Sequence, residues 1–171
     1  MNEENWVVWD CEANGLKPTK FWCLSYKDHS GQKGTLRDYE AIRDFFSRYS
    51  LYIGHNIRRW DLPNLRRVVE TPTPDRIVDT LGLAWVLDPD RRDHRLEGYG
   101  EDFGISKPPI IDWENQSQEE YENRCEQDVE INWALWKSQL RRLLRIYDNQ
   151  SDLWRYLRYL DFKMYSAHLA E

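Results

Sequence analysis

The sequence predicts an α/β domain with a mixed central sheet of about five strands flanked by helices. Short apolar stretches that end in turn residues come first, and longer stretches with apolar residues at helical spacing follow them. With 171 residues, the chain is long enough for one ordinary domain with its own core, and no internal repeat is visible. These observations favour a layered α/β fold over a repeat array.

Strands are predicted where short apolar runs are bounded by turn residues. The first is the stretch VVWDC, which leads into Glu12 and a turn-forming Asn-Gly pair, and the second follows a Lys-Pro turn. Two glycines precede the third strand, and the fourth ends at His55 and Asn56. The predicted strands cover residues 7–11, 21–26, 35–39, 51–54 and 77–78.

Helices are predicted from helical spacing of apolar residues and from capping residues. Asp61 begins a helix whose first turn tolerates Pro63. Ser117 with Glu120 forms a capping box for a long helix, continuous or broken once. Residues 88–113 are rich in Pro, Asp and Gly, which predicts loops around one short helix. The remaining helices are predicted at residues 39–49, 80–87, 96–103 and 152–171.

The composition excludes a disordered chain and a membrane-spanning protein. Aromatic residues make up 14% of the chain, and no apolar run approaches the ~20 residues of a membrane-spanning helix. The opening residues MNEENW are polar and acidic, unlike a signal peptide. The cysteines have no metal-binding spacing, which predicts reduced thiols in a cytoplasmic compartment. They are Cys11, Cys23 and Cys125.

The formal net charge of −6 argues against a protein that simply coats nucleic acid. It is compatible with a protein that recruits divalent cations, whose charge is not part of the sequence. The basic residues are clustered, although any single cluster is typical of a solvated helix face. The clusters are Arg58-Arg59, Arg66-Arg67, Arg91-Arg92 and Arg141-Arg142 with Arg145.

Two acids, Asp10 and Glu12, end the first predicted strand. Residues two apart in a strand face the same side, so the two carboxylates project together while Cys11 points away. Two close carboxylates are unfavourable unless a proton or a cation lies between them. Without Cys or His ligands nearby, such a pair suits Mg²⁺ or Mn²⁺. Alone, the pair is equally typical of two solvated acids at a strand end.

Two further acids strengthen the metal interpretation. Asp61 lies in the stretch YIGHNIRRWDLPNL, at another junction between a strand and a helix. Asp128 lies on the long helix, in the stretch NRCEQDVEINWAL. Acids on several different elements are what a two-metal site for phosphodiester hydrolysis requires.

These motifs resemble the DEDD superfamily of 3′→5′ exonucleases, which have the ribonuclease H-like fold. The resemblance is closest to the proofreading exonuclease domain of phage family A DNA polymerases. It also includes the stretches CEANGL, TKFWCL, IVDTLGLAWVL and QDVEINWAL, and the H-x-L-E-x-x-G run at 94–100. It extends over residues 6 to about 145, with the motifs in the expected order.

The resemblance implies a site for two Mg²⁺ or Mn²⁺ ions. Asp10, Glu12 and Asp128 would hold the ion that activates the attacking water. Asp10 would also contact the second ion, which stabilises the departing 3′ oxygen, and Asp61 would bind that ion through water.

The resemblance also implies substrate contacts. Leu16 lies where the family places a leucine against the terminal base, and Asn56 would lie near the terminal sugar and phosphate. His55 and His94 are candidates for lining the cleft. Trp60 replaces the usual Phe or Tyr of the family. Its two possible roles are packing in the core and stacking against a base.

The third motif departs from the family pattern. The family has Tyr four residues before the last acid, or His five before it, and here these positions hold Arg124 and Asn123. Tyr121 lies two helical turns before Asp128 on the same face. Three explanations of this departure are open. Arg124 positions the water or the phosphate in place of the tyrosine, Tyr121 reaches the site from its own position, or the activity is reduced. We expect a weaker but active site, because all four carboxylates are present.

The resemblance implies an exonuclease that acts on the 3′ end of single-stranded DNA and releases nucleoside 5′-monophosphates. Residues 1–148 would form the exonuclease domain, and residues 149–171 a C-terminal helix that enters a polymerase domain of a longer chain. The role would be proofreading, in the bacterial cytoplasm if phage-encoded. The alternatives are an inactive nucleic-acid or polymerase-interaction module and a free-standing exonuclease that trims RNA or DNA.

Overall fold

The computed structural model describes residues 5–107 and 116–170, which are arranged around a five-stranded mixed sheet. The strand order is β3-β2-β1-β4-β5. β1 pairs antiparallel with β2 and parallel with β4, so β1 lies at the centre of the sheet. The predicted mixed sheet is confirmed. The strands are β1 (Trp6–Ala13), β2 (Phe21–Asp28), β3 (Lys33–Leu36), β4 (Leu51–Gly54) and β5 (Ile77–Asp79).

Helices flank the sheet, and the predicted ends of the third strand and of the first helix were wrong. The third strand ends before Asp38, because the Asp38 side chain accepts a hydrogen bond from the Ala41 backbone N–H and caps the first helix. That helix ends at Phe45, four residues earlier than predicted. The helices are α1 (Tyr39–Phe45), α2 (Asp61–Val68), α3 (Thr80–Leu87), α4 (Leu96–Phe103), α5 (Gln118–Ile146) and α6 (Gln150–Ala170).

The long helix α5 is continuous over 29 residues. It begins with the predicted capping box, in which Ser117 Oγ accepts from the Glu120 backbone N–H at 3.2 Å and Glu120 Oε2 accepts from the Ser117 backbone N–H at 2.6 Å. The predicted short helix within 88–113 is α4, and residues 108–113 of that segment lie outside the described residues.

The alternation of side chains along β1 divides the core into two layers. Val7, Trp9 and Cys11 pack on the side that carries α1 and α2. Val8 packs on the opposite side, with side chains of α5 and α6. Because side chains alternate along a strand, Asp10 and Glu12 belong to the α5 side. The register of one strand therefore presents both acids to the long helix.

The last helix, α6, packs on the sheet through apolar side chains of its first half. Leu153 and Leu157 are buried in the layer beneath α5, and the guanidinium of Arg58 forms an ion pair with Asp161. Four large apolar or aromatic side chains of α6 are exposed: Tyr159, Phe162, Tyr165 and Leu169. Within the described ranges, no helix has the length and apolar character needed to cross a membrane.

Candidate active site

Three of the four predicted acids meet where β1 ends beneath α5. One carboxylate oxygen each from Asp10, Glu12 and Asp128 lies within 4.8 Å of the others. Asp10 and Glu12 come from the same side of β1, and Asp128 comes from the buried face of α5. We call these three residues the carboxylate cluster.

The fourth acid, Asp61, approaches the cluster from the other side of the sheet. It is the first residue of α2, where the partial positive charge of a helix N-terminus favours a carboxylate. The Cys11 thiol donates a hydrogen bond to Asp61 Oδ1 at 3.0 Å. Asp61 is also close enough for its charge to raise the pKa of Asp10. All four predicted acids therefore act on one another electrostatically.

Burial disfavours the ionised forms of the acids in the carboxylate cluster. Burial raises the pKa of Asp10 well above its usual range, and the charges of Asp128 and Asp61 add to this effect. Burial raises the pKa of Glu12 to about 7, against the opposing charge of Arg124. Burial also raises the pKa of Asp128. Ionised together, these groups need compensating positive charge.

The chemistry of the donor atoms fits a hard divalent cation. The cluster offers carboxylate oxygens only. The nearest thiol belongs to Cys125, whose sulfur donates to the Asp10 backbone carbonyl at 3.3 Å. Burial raises the pKa of that thiol well above its usual range, which favours its protonated form. Oxygen-only sites of this kind suit Mg²⁺ or Mn²⁺.

Lys107, which the sequence analysis did not predict, contacts the cluster. Its Nζ donates a hydrogen bond to Asp128 Oδ2 at 2.7 Å and lies 2.6 Å from Asp128 Oδ1. Lys107 follows α4 and belongs to a segment that carries no recognisable motif. No local pattern could have assigned it, since the contact depends on how α4 packs against α5.

The structure separates the two candidates for the missing tyrosine. Arg124 Nε lies 3.2 Å from Glu12 Oε1. The Tyr121 ring stacks on Trp22 instead, with ring centroids 5.1 Å apart and an interplanar angle of 13°. Trp22 is the extra residue of a bulge, because Glu12 pairs with Cys23 whereas the next residue pairs with Phe21. Arg124 thus contacts the acids, and Tyr121 packs beside them.

Leu16 lies at an exposed position near the carboxyl end of β1. Its side chain is 87% exposed. Trp60 Nε1 donates to the Leu16 carbonyl at 3.3 Å, and the Trp60 ring meets Phe21 edge-on. Trp60 therefore packs against the core and anchors the turn that presents Leu16.

Asn56 lies in a loop that a fifth acid, Asp79, fixes in place. Asn56 adopts a left-handed backbone conformation with φ of 63°. The buried Asp79 carboxylate accepts the backbone N–H groups of Asn56 at 2.8 Å and Arg58 at 3.1 Å. It also accepts from Leu81 N at 3.0 Å, which caps α3. Asp79 connects the loop before Asp61 to the sheet.

His55 is fully engaged with protein partners. Its Nε2 lies 2.9 Å from the His94 carbonyl and its Nδ1 lies 2.9 Å from Thr80 Oγ1. Since a carbonyl can only accept, Nε2 carries the proton. The Thr80 hydroxyl that faces Nδ1 donates to Asn132 Oδ1 at 2.7 Å and also lies 3.1 Å from the Gly54 carbonyl. Burial lowers the pKa of His55 to about 4, so the ring is neutral. The His94 ring contacts Tyr99 through Nδ1 at 3.1 Å.

The strand order and the position of the acids define an α/β domain of the ribonuclease H-like fold, the fold of the DEDD exonucleases. No protein-family model and no curated protein sequence matches this chain. Solved structures do match it, at identities that establish the fold alone. Brucella melitensis NrnC with bound Mg²⁺ has a TM-score of 0.67 at 18% identity, covering 92% of this chain and 82% of NrnC.

Two larger proteins contain the same fold. Escherichia coli RNase D, an exoribonuclease involved in structured RNA processing, has a TM-score of 0.59 at 13% identity, covering 94% of this chain and 45% of RNase D. The family B DNA polymerase of the archaeon Pyrobaculum calidifontis has a TM-score of 0.66 at 16% identity over 82% of this chain. This chain spans 25% of that polymerase. The narrower likeness to phage family A polymerases stays a prediction.

Proposed function

We propose that the protein is a divalent-metal-dependent 3′→5′ exonuclease that releases nucleoside 5′-monophosphates from single-stranded ends. The observation that carries this proposal is the meeting of Asp10, Glu12 and Asp128 within 4.8 Å. Their burial and mutual repulsion make the cluster costly unless it binds cations. The fold shared with NrnC, RNase D and a polymerase supports the same reaction class.

Each acid has a proposed task in this mechanism. Asp10, Glu12 and Asp128 would hold one Mg²⁺ or Mn²⁺, and Asp10 with Asp61 would hold a second. When bound, such ions would supply a more acidic water as nucleophile and would stabilise the leaving 3′ oxygen. Arg124 contacts Glu12 and is placed to orient the water or the scissile phosphate.

Features around the cluster support a single-stranded substrate. A duplex end must be separated before its last phosphodiester enters a cleft lined by buried acids. Leu16 projects into solvent where it can press against a terminal base. On the other side, Lys20 Nζ lies 3.9 Å from the Trp22 ring centroid, and Trp22 stacks on Tyr121. Aromatic and basic side chains together are typical of surfaces that bind single strands.

For the biological role we propose proofreading of DNA within a longer polymerase chain. The fold similarity to part of a family B DNA polymerase and the exposed apolar side chains of α6 support it. A free-standing exonuclease that trims RNA or DNA is the second candidate. It is favoured by the match to NrnC, because this chain covers 82% of that protein.

A digestion assay tests the reaction and the substrate together. Purified protein is incubated with 5′-labelled single-stranded DNA or RNA, with Mg²⁺ or with a chelator. We expect a ladder that shortens from the 3′ end, release of 5′-monophosphates, and dependence on the metal. Asp10→Ala should abolish the ladder and leave the circular dichroism spectrum unchanged. Asp148→Ala, in an exposed turn, should leave both the ladder and the spectrum unchanged.

Two results would contradict the proposal. One is the absence of metal-dependent digestion of both nucleic acids, which would favour an inactive interaction module. The other is undiminished digestion by Asp10→Ala, which would assign the activity to a contaminant. Faster digestion of RNA than of DNA would reject proofreading in favour of trimming.

A further inference from the structure

The backbone that carries Lys107 is held against α5. Gly104 ends α4 in a left-handed conformation with φ of 66°, and the Ile105 N–H donates to the Gly100 carbonyl at 2.8 Å. The Ile105 side chain packs with Ile131 of α5. This turn after α4 therefore places Lys107 beside Asp128.

The contact between Lys107 and Asp128 is buried and engages the whole carboxylate. The Lys107 side chain is 15% exposed and that of Asp128 is 9% exposed. Both carboxylate oxygens lie within 2.7 Å of Nζ. Burial raises the pKa of each acid in the cluster, and the Lys107 charge opposes this effect at all three. The ammonium thus acts as a cation for the entire cluster.

An ammonium in this position conflicts with a metal ion bound to the same oxygens. A divalent cation bound to Asp128 would lie within a few ångströms of Nζ, and like charges at such distances repel strongly where water is excluded.

We propose that the Lys107 ammonium and a divalent metal compete for the Asp128 carboxylate, so that metal binding displaces Lys107 from Asp128. Lys107 is then a positioning residue that keeps the cluster assembled and sets its affinity for metal. This inference rests on the proposed metal-dependent function of the cluster.

The first test measures Mn²⁺ binding by isothermal titration calorimetry, in mildly alkaline buffer that keeps the acids ionised. Lys107→Met and Lys107→Gln should bind Mn²⁺ about tenfold more tightly than the wild type, or tighter still. Lys107→Arg should keep wild-type affinity. Lys33→Met is the matched control, since it removes the same charge from a lysine that is 62% exposed and paired with Glu130. Its affinity should be unchanged.

The second test uses the wild-type protein and needs no folded variant. An amine-acylating reagent is applied with and without Mn²⁺, and labelling of each lysine is followed by mass spectrometry. Displacement predicts faster acylation of Lys107 when Mn²⁺ is present, with Lys33 as the internal reference.

The outcomes separate this inference from the proposed function. Tighter binding by the neutral variants, together with faster Lys107 acylation, supports competition. Binding of Mn²⁺ with equal or lower affinity by both neutral variants, or metal-independent acylation of Lys107, overturns the inference and leaves the metal site standing. Absence of Mn²⁺ binding by the wild type and every variant overturns both.

Discussion

Replacement of Asp61 by Asn should stabilise the metal-free protein at alkaline pH. Asp61 is 5% exposed and accepts a hydrogen bond from the Cys11 thiol. Asn has the same shape and keeps an oxygen for that bond, but it carries no charge. The substitution therefore isolates the cost of one buried ionised carboxylate.

The magnitude follows from the pKa of this group. Burial raises the pKa of Asp61 from 3.8 to about 7. That difference corresponds to about 4 kcal/mol in the free energy of unfolding, an upper figure because neighbouring acids titrate together. A raised pKa stabilises the fold below the ordinary value, and this stability is lost as the pH rises through about 7.

Urea denaturation in the presence of a chelator measures the effect. Asp61→Asn and the wild type should differ little near pH 4, and the variant should gain up to about 4 kcal/mol near pH 8. Asp148→Asn, in an exposed turn, should follow the wild type at both values. A gain that does not change with pH, or a variant less stable than the wild type near pH 8, would refute the reasoning.

Three other substitutions test the surroundings of the cluster. Arg124→Ala should slow single-turnover digestion, whereas Arg124→Tyr should preserve or raise it, because the side chain lies one turn before the last acid and contacts Glu12; equal rates would show that the position is silent. Tyr121→Phe should retain activity, since the ring stacks on Trp22; a large loss would assign the hydroxyl a catalytic role. His55→Ala should lower the free energy of unfolding by about 2 kcal/mol, because the buried Thr80 hydroxyl and the half-buried His94 carbonyl each lose a hydrogen bond; an unchanged urea midpoint would contradict this.

Much of the fold could be predicted because local patterns and tertiary packing agree. The apolar run before Asp10 and the capping box at Ser117 each mark an element that the structure contains. The third strand was misplaced by two residues at its start, because Gly34 and Thr35 carry no strong alternation. Pairing with β2, rather than local preference, fixes where that strand begins and ends.

The site was predictable only as far as its acids. Asp10 and Glu12 share a strand, so their common direction follows from geometry alone. Lys107 could not be predicted, since its contact with Asp128 spans 21 residues and depends on the turn after α4. The substrate contact of His55 stays a prediction, and its ring nitrogens lie 2.9 Å from Thr80 Oγ1 and from the His94 carbonyl.

The three backbone hydrogen bonds accepted by Asp79 affect how mutational data on this domain should be interpreted. Loss of that carboxylate would leave three amides without their acceptor, release the strained Asn56, and let the loop before Asp61 shift. An alanine scan scored only by nuclease activity would then count five essential acids instead of four. Thermal denaturation of each inactive variant separates acids of the site from the structural Asp79. Removing a mutually repelling acid stabilises the fold, whereas removing Asp79 destabilises it.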